Sequence, residues 1–209
     1  MFRRSIMLAV ALMMCVPISV YAFSIDLNYS KDFSIINPFA TVTGSVNGSD
    51  NTRFDFMVDL DSNLKSTLGD DGNFGMDKFY FNTDLSLTDD MFTFVNPTDW
   101  DVKFDKSASG YGKFSIEAKG SGNSRTENLE FNIDYTSMVT EANFLFMSTG
   151  TAGEGAGQFA AHIGGFDYQG FGSTWVRDDT PSEPVPEPST LLLLGGGLVG
   201  LAYWRRRKN

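Results

Sequence analysis

The sequence predicts an all-β fold, an antiparallel β-sandwich or jelly roll, preceded by a signal peptide and followed by one short transmembrane helix. Apolar and polar residues alternate with a period of two along most of the body, which is the pattern of strands with one buried face. Turn-forming pairs such as Asn47-Gly48 and Asp71-Gly72 separate these segments. We therefore divide the chain into a signal peptide (1–22), a β-sandwich (23–179), a proline-rich linker (180–188), a transmembrane helix (189–204) and a basic cytoplasmic tail (205–209).

The first segment has the three parts of a secretory signal peptide. Arg3 and Arg4 form the basic start, residues 6–16 form an apolar run, and Val20-Tyr21-Ala22 ends it in a small-x-small pattern. We expect cleavage after Ala22. Cys15 is the only cysteine and lies in the part that is removed, so we expect a mature chain with no disulfide and no cysteine-ligated metal.

Ten segments of the body are predicted to be strands. The alternation is clear in residues 23–29, 53–60, 100–105, 114–118 and 129–135. It is weaker in residues 41–46, 78–81, 92–95, 144–147 and 159–163. Short strands separated by turns are typical of an antiparallel sandwich or jelly roll. Residues 137–143 are the one helix that we predict in the body.

Charge in this chain is segregated between the body and the two ends. Of 16 basic residues six lie in the ends, and of 26 acidic residues two lie in the linker, which leaves a body with 10 basic and 24 acidic residues and a net charge of −14. Such a surface repels phosphate groups, which argues against nucleic acid and anionic lipid as partners. It suits a solvated protein outside the cell.

The body offers no clear catalytic set. His162 is the only histidine, and a single histidine is more often a structural residue than a catalyst. No serine lies in a Gly-x-Ser-x-Gly elbow. Carboxylates are plentiful, but nothing selects two at the fixed separation that glycoside hydrolysis needs. We expect a domain that is not an enzyme, with an extracellular glycoside hydrolase as the third alternative.

Two kinds of binding site are candidates in the body. Asp71, Asn73 and Asp77 place oxygen ligands in a flexible loop, which suits calcium, although Gly75 and Asn82 depart from the EF-hand pattern. No other cofactor is expected. Aromatic side chains in or beside glycine-rich stretches are candidates for stacking on sugar rings; they are Tyr111, Tyr168 and Trp175. A carbohydrate-binding module, with or without calcium, is therefore the second functional alternative.

The C-terminal segment has the physical properties of a short membrane anchor. Pro186 and Pro188 hold the chain extended before it. The 16 uncharged residues that follow form a helix of about 24 Å, shorter than the roughly 30 Å of a bilayer core. Local thinning and an interfacial tryptophan let it span, and the arginines keep the tail in the cytoplasm and the body outside. The anchor and its stop comprise Leu191, Leu192, Leu193, Leu194, Trp204, Arg205, Arg206 and Arg207.

The order of these tail features closely resembles the PEP-CTERM sorting signal. The residues that carry the resemblance are Val185, Pro186, Glu187 and Pro188, followed by the apolar helix and the basic cluster. The resemblance implies that exosortase, a membrane-embedded cysteine protease and transpeptidase, processes this tail, with Glu187 and its prolines as substrate. An ordinary C-terminal anchor is the alternative.

A second resemblance covers part of the body. Residues 96–100, 110–114, 159–166 and 172–176 resemble an uncharacterised type of PEP-CTERM passenger, which implies a shared β fold and no chemistry. Together the two resemblances imply a bacterial protein that crosses the inner membrane, is anchored there transiently, and reaches the cell surface or extracellular matrix. The expected role is structural or adhesive within exopolysaccharide or biofilm, with exosortase and exopolysaccharide as partners.

Overall fold

Two antiparallel sheets enclose the core in the computed structural model, which describes residues 22–34 and 38–179. In spatial order, the five-stranded sheet contains β1 (Ala22–Leu27), β3 (Ala40–Asn47), β4 (Asp50–Leu60), β9 (Asn128–Asp134) and β6 (Phe92–Asn96). The six-stranded sheet contains β2 (Tyr29–Ser30), β11 (Phe171–Arg177), β10 (Phe159–Tyr168), β5 (Gly75–Phe81), β8 (Gly112–Lys119) and β7 (Asp101–Ala108). The predicted antiparallel β-sandwich is confirmed.

Phenylalanine fills the space between the sheets. Phe54 and Phe56 alternate along β4 with half-buried polar residues, so both rings point into the core. Phe56 pairs with Phe131 of β9, and the two rings stack with centroids 4.9 Å apart. Each such ring contributes about 2 to 3 kcal/mol when it leaves water. Because the chain has a single cysteine and can form no internal disulfide, its stability depends on packing of this kind.

Helices are short and lie in connections. Leu64–Leu68 forms α1, which the sequence analysis did not predict, and Asp89–Met91 and Glu141–Phe144 are 3₁₀ helices. The helix predicted for residues 137–143 is therefore limited to Glu141–Phe144, which a capping box between Thr140 and Asn143 fixes at its start.

Two predictions at the strand level were wrong. Residues 144–147 are not a strand, because Phe144 ends the 3₁₀ helix and buries its ring in the core, and the chain after it is irregular. Conversely, Phe171–Arg177 is a strand, although Gly172 and the two polar residues after it gave no clear alternation. It pairs antiparallel with β10. The six-stranded sheet therefore contains, beside β10, a strand that the sequence pattern did not predict.

A β-bulge in the six-stranded sheet changes the direction of the Asp77 side chain. His162 of β10 pairs with Lys78, but its neighbour Ile163 pairs with Met76, so Asp77 is an extra residue in β5. Bulges of this kind redirect side chains and occur near functional sites. Here the bulge places the Asp77 carboxylate beside the His162 ring.

The terminal predictions concern parts of the chain outside the described residues. The signal peptide, the linker, the transmembrane helix and the basic tail all lie there, apart from Ala22, the predicted cleavage residue, which is the first residue of β1. Among residues 22–34 and 38–179, no helix has the length and apolar character needed to cross a membrane.

Candidate functional site

The outer face of the six-stranded sheet brings the only histidine together with the second tryptophan of the sequence. His162 lies between Trp175 on β11 and Lys78 on β5, directly opposite each in the sheet register. The rings of His162 and Trp175 have centroids 4.8 Å apart. The Lys78 ammonium lies 5.5 Å from the centre of the Trp175 ring, within reach of a cation–π contact.

Asp77 fixes the orientation of His162. Its Oδ1 lies 2.6 Å from His162 Nδ1, and its Oδ2 lies 3.7 Å from Arg125 Nε. Burial alone would raise the pKa of Asp77, but the hydrogen bond with His162 and the positive charges around it prevail. The pKa of Asp77 is therefore held below its ordinary value. Within the described residues, the His162 ring makes no other hydrogen bond.

A second polar pair lies deeper on the same face. The Tyr80 hydroxyl donates a hydrogen bond of 2.6 Å to Glu117 Oε1, and both side chains are buried. Burial, followed by the hydrogen bond to Glu117, raises the pKa of Tyr80 well above its ordinary value. The Tyr80 ring also packs against Phe114 and Trp175. Tyr80 therefore keeps its proton at neutral pH and donates it to Glu117.

Residues 145–157 close one end of this face. Thr149 exchanges two backbone hydrogen bonds with Lys113, and the Glu154 amide donates to the Gly110 carbonyl. The Arg177 guanidinium donates to the Glu154 carbonyl and lies 4.3 Å from the centre of the Tyr29 ring. Beneath this segment the side chains form a small second core of Tyr80, Ala108, Tyr111, Phe114 and Ala160.

Comparison with known families identifies the tail. Residues 184–208 match the PEP-CTERM protein-sorting motif. The chain carries a PEP-CTERM sorting motif. This finding supports a PEP-CTERM protein, exported as a membrane-anchored precursor and processed by exosortase. Comparisons with curated proteins and with solved structures returned no match for the chain.

The aromatic residues predicted to contact glycans differ in exposure. Tyr111 is fully buried and its hydroxyl donates to the Trp175 carbonyl, so no face of its ring is open to a sugar and its proposed role is corrected. Tyr168 is half-buried and packs against Phe33. Trp175 is half-buried between His162 and Tyr80. Trp175 and Tyr168 stay predictions.

The predicted calcium ligands have other partners. Asp71 Oδ1 accepts from the Asn73 amide, the Asn73 side chain donates to the Gly122 carbonyl, and Asp77 binds His162. Across the described residues, no three His, Cys, Asp or Glu side chains are grouped to hold a metal ion. Calcium binding by Asp71, Asn73 and Asp77 stays a prediction.

Two pairs on this face were missed at the level of sequence. Asp77 and His162 are 85 residues apart, and Tyr80 and Glu117 are 37 apart. Local pattern gives no signal for either pairing, although Glu117 stands in an alternating strand at a position that faces away from the core. The sorting motif is the opposite case, because its whole signal lies in one continuous segment.

Proposed function

We propose that the mature domain of this PEP-CTERM protein is a non-enzymatic, structural or adhesive component of an extracellular matrix built on exopolysaccharide. The observation that carries the proposal is the sorting motif at residues 184–208, because it directs the chain to export and exosortase. A protein delivered to the cell surface is placed where it can contact surface polysaccharide.

The character of the β domain supports this proposal. Its core is built of packed phenylalanine rings, and the polar groups on the outer face of the six-stranded sheet bind one another. Asp77 orients His162, but a nucleophile within reach of that ring, as hydrolytic triads have, is not among its hydrogen-bond partners in the described residues. The arrangement favours a rigid block over a catalytic cleft.

A carbohydrate-binding module is the second candidate, favoured by Trp175. Its ring is partly accessible and lies beside Lys78. A depression of about 500 Å³ continues from Lys78 past Lys103 and Lys119. Aromatic faces flanked by hydrogen-bonding side chains suit sugar rings. If this face binds, Trp175→Ala will weaken retention on polysaccharide at least tenfold, and Met138→Ala, a change at an exposed side chain outside the depression, will not.

The proposal is tested in the native host with three strains, carrying the wild-type gene, a deletion, or the Pro186→Ala/Glu187→Ala double variant. We expect the wild-type protein in the polysaccharide fraction, with an intact mass that lacks the tail beyond Pro188. The double variant should stay in the inner membrane with its tail, and both altered strains should lose cell aggregation or matrix retention. An unprocessed wild-type protein in the inner membrane would contradict the proposal, as would a deletion strain with an unchanged matrix.

A further inference from the structure

The outer face of the five-stranded sheet carries a shallow groove that runs across all of its strands. The groove has a volume of about 750 Å³, and all five strands of that sheet contribute to its lining. Four inter-strand steps give it a length of about 19 Å, enough for several sugar rings. Its volume is in the range of ligand sites in proteins.

The lining offers both donors and acceptors with little net charge. Arg53 and Asp55 form an ion pair, with 3.0 Å between Nε and Oδ1. Arg53 bonds to Asp55 through Nε. Its two terminal nitrogens make no hydrogen bond within the described residues. Met57 and Val95 add exposed aliphatic surface. The remaining polar lining consists of Ser24, Thr43, Ser45, Glu130 and Asn132.

Asn132 is the feature of the groove that points to a ligand. It lies between Phe131 and Ile133, both of which face the core, so its side chain faces the groove. Its exposed fraction is only 2%, yet its Oδ1 is buried without a hydrogen-bond partner. A buried carbonyl that lacks a donor destabilises a fold, so such groups are rare in stable proteins.

The surroundings of Asn132 explain why its oxygen has no donor. Asp55 is directly opposite on β4, and a carboxylate can only accept. The two donors nearest to that carboxylate are already directed at it: Arg53 Nε at Oδ1, and Asn47 Nδ2 at Oδ2 over 2.9 Å. On the other side, Thr93 of β6 is opposite Asn132, but its hydroxyl is not bonded to Oδ1, so this oxygen is available to a donor from outside the chain.

We propose that this groove binds a neutral polysaccharide chain, for which the Asn132 side chain turns outward so that its Oδ1 accepts a hydrogen bond from a sugar hydroxyl. The terminal nitrogens of Arg53 donate to a further ring or hydroxyl oxygen, and Met57 and Val95 contact the C–H faces of the sugars. This proposal rests on the proposed function, the matrix role, and it names the surface of the protein that would contact the matrix.

Charge selects the neutral class of polysaccharide. Asp55 and Glu130 line the groove against the one cation of Arg53, and the body as a whole is strongly acidic. A polyanion such as a polyuronate or a nucleic acid would meet repulsion there. A neutral chain meets none, and its hydroxyls both donate and accept.

The test measures binding of the mature protein, isolated from its host, by affinity electrophoresis. The probes are protein-free exopolysaccharide of the host, dextran, cellulose fragments and alginate. We expect a neutral probe to retard the wild-type protein, alginate to have no effect, and Asn132→Leu to weaken binding at least tenfold without lowering Tm. Asn123→Leu, the same substitution in an exposed turn, should bind as the wild type does.

The outcomes separate this proposal from the matrix role. Equal binding by wild type and Asn132→Leu would overturn the proposal that the groove is the binding site. Retardation by alginate alone, or by none of the probes, would overturn it as well. Either result leaves the fractionation of the protein in its host untouched. If instead the groove binds but the protein never reaches the matrix, the site stands and the proposed function falls. A lower Tm in Asn132→Leu would contradict the claim that its oxygen lacks a partner. In that case Arg53→Gln tests the groove independently, and we expect it to weaken binding by the same factor.

Discussion

On the outer face of the six-stranded sheet, two pairs of polar side chains bind each other; on the outer face of the five-stranded sheet, Asn132 is buried and its oxygen has no donor. In the first case Asp77 holds His162 and Tyr80 holds Glu117, under a loop that closes one end of the face. In the second case the polar groups line an open groove.

This difference separates two uses of polar residues. Where a buried polar group has a partner in the protein, the pair contributes stability and nothing remains for a ligand. Where the partner is missing, the fold is less stable than it could be. A ligand that supplies the missing donor makes that hydrogen bond, and its free energy then contributes to binding. Substitutions on the two faces should therefore have opposite effects on the free energy of unfolding.

The largest effect is expected from Tyr80→Ala on the six-stranded face. The change removes a ring that is 1% exposed and leaves Glu117 without its donor, so we expect a loss of about 3 to 5 kcal/mol. Tyr80→Phe keeps the ring and should lose about 1 to 3 kcal/mol. Urea unfolding measures both. A loss below about 1 kcal/mol for Tyr80→Ala would mean that this face does not fold with the core.

A pH-dependent effect is expected from Asp77→Asn. The pKa of Asp77 in the folded chain is lower than the value of 3.8 expected for the unfolded chain. Its carboxylate therefore contributes stability above about pH 4, and this contribution is lost as the pH falls through the folded pKa.

The measurement is chemical unfolding of wild type and Asp77→Asn between pH 2 and pH 7. At pH 7 we expect the variant to be less stable by about 1.5 to 3 kcal/mol, the range for hydrogen bonds to charged groups. The two curves should converge on acidification. Asp179→Asn, a change at an exposed carboxylate, should follow the wild type throughout. A difference independent of pH would show that the charge of the Asp77 carboxylate does not stabilise the fold.

The smallest effect, and one of opposite sign, is expected from Asn132→Leu on the five-stranded face. Because the variant removes an unpaired carbonyl, we expect a gain of about 1 kcal/mol, read from urea unfolding. Asn82→Leu is the matched control, since Asn82 is also buried but donates to the Met147 carbonyl and accepts from the Ser115 amide. That control should lose about 1 to 3 kcal/mol. Equal losses in both variants would erase the contrast between the faces.

The sequence predicted what depends on neighbouring residues along the chain. Alternation identified Phe54, Phe56 and Phe131 as residues of the core, because the direction of a strand side chain is a local property. The tail motif was likewise readable, since its proline, apolar and basic parts are contiguous.

The rest depends on contacts between distant segments. The position of Asn132 in its strand predicts exposure, but β4 and β6 pack on either side and bury it. Tyr111 stands in a glycine-rich stretch that suggests an open ring, yet its hydroxyl reaches the Trp175 carbonyl, 64 residues away, and the ring is enclosed. No local pattern contains either outcome.

The contrast between the faces has one reporter on each side, the side-chain amide of Asn132 and the indole N–H of Trp175. Both give separate signals in a ¹⁵N–¹H spectrum of the mature protein during titration with oligosaccharides from the host exopolysaccharide. We predict that the Asn132 amide signals shift with saturation while the Trp175 indole signal stays in place. A saturating shift of Trp175 with Asn132 unmoved would place the sugar on the six-stranded face and contradict the account.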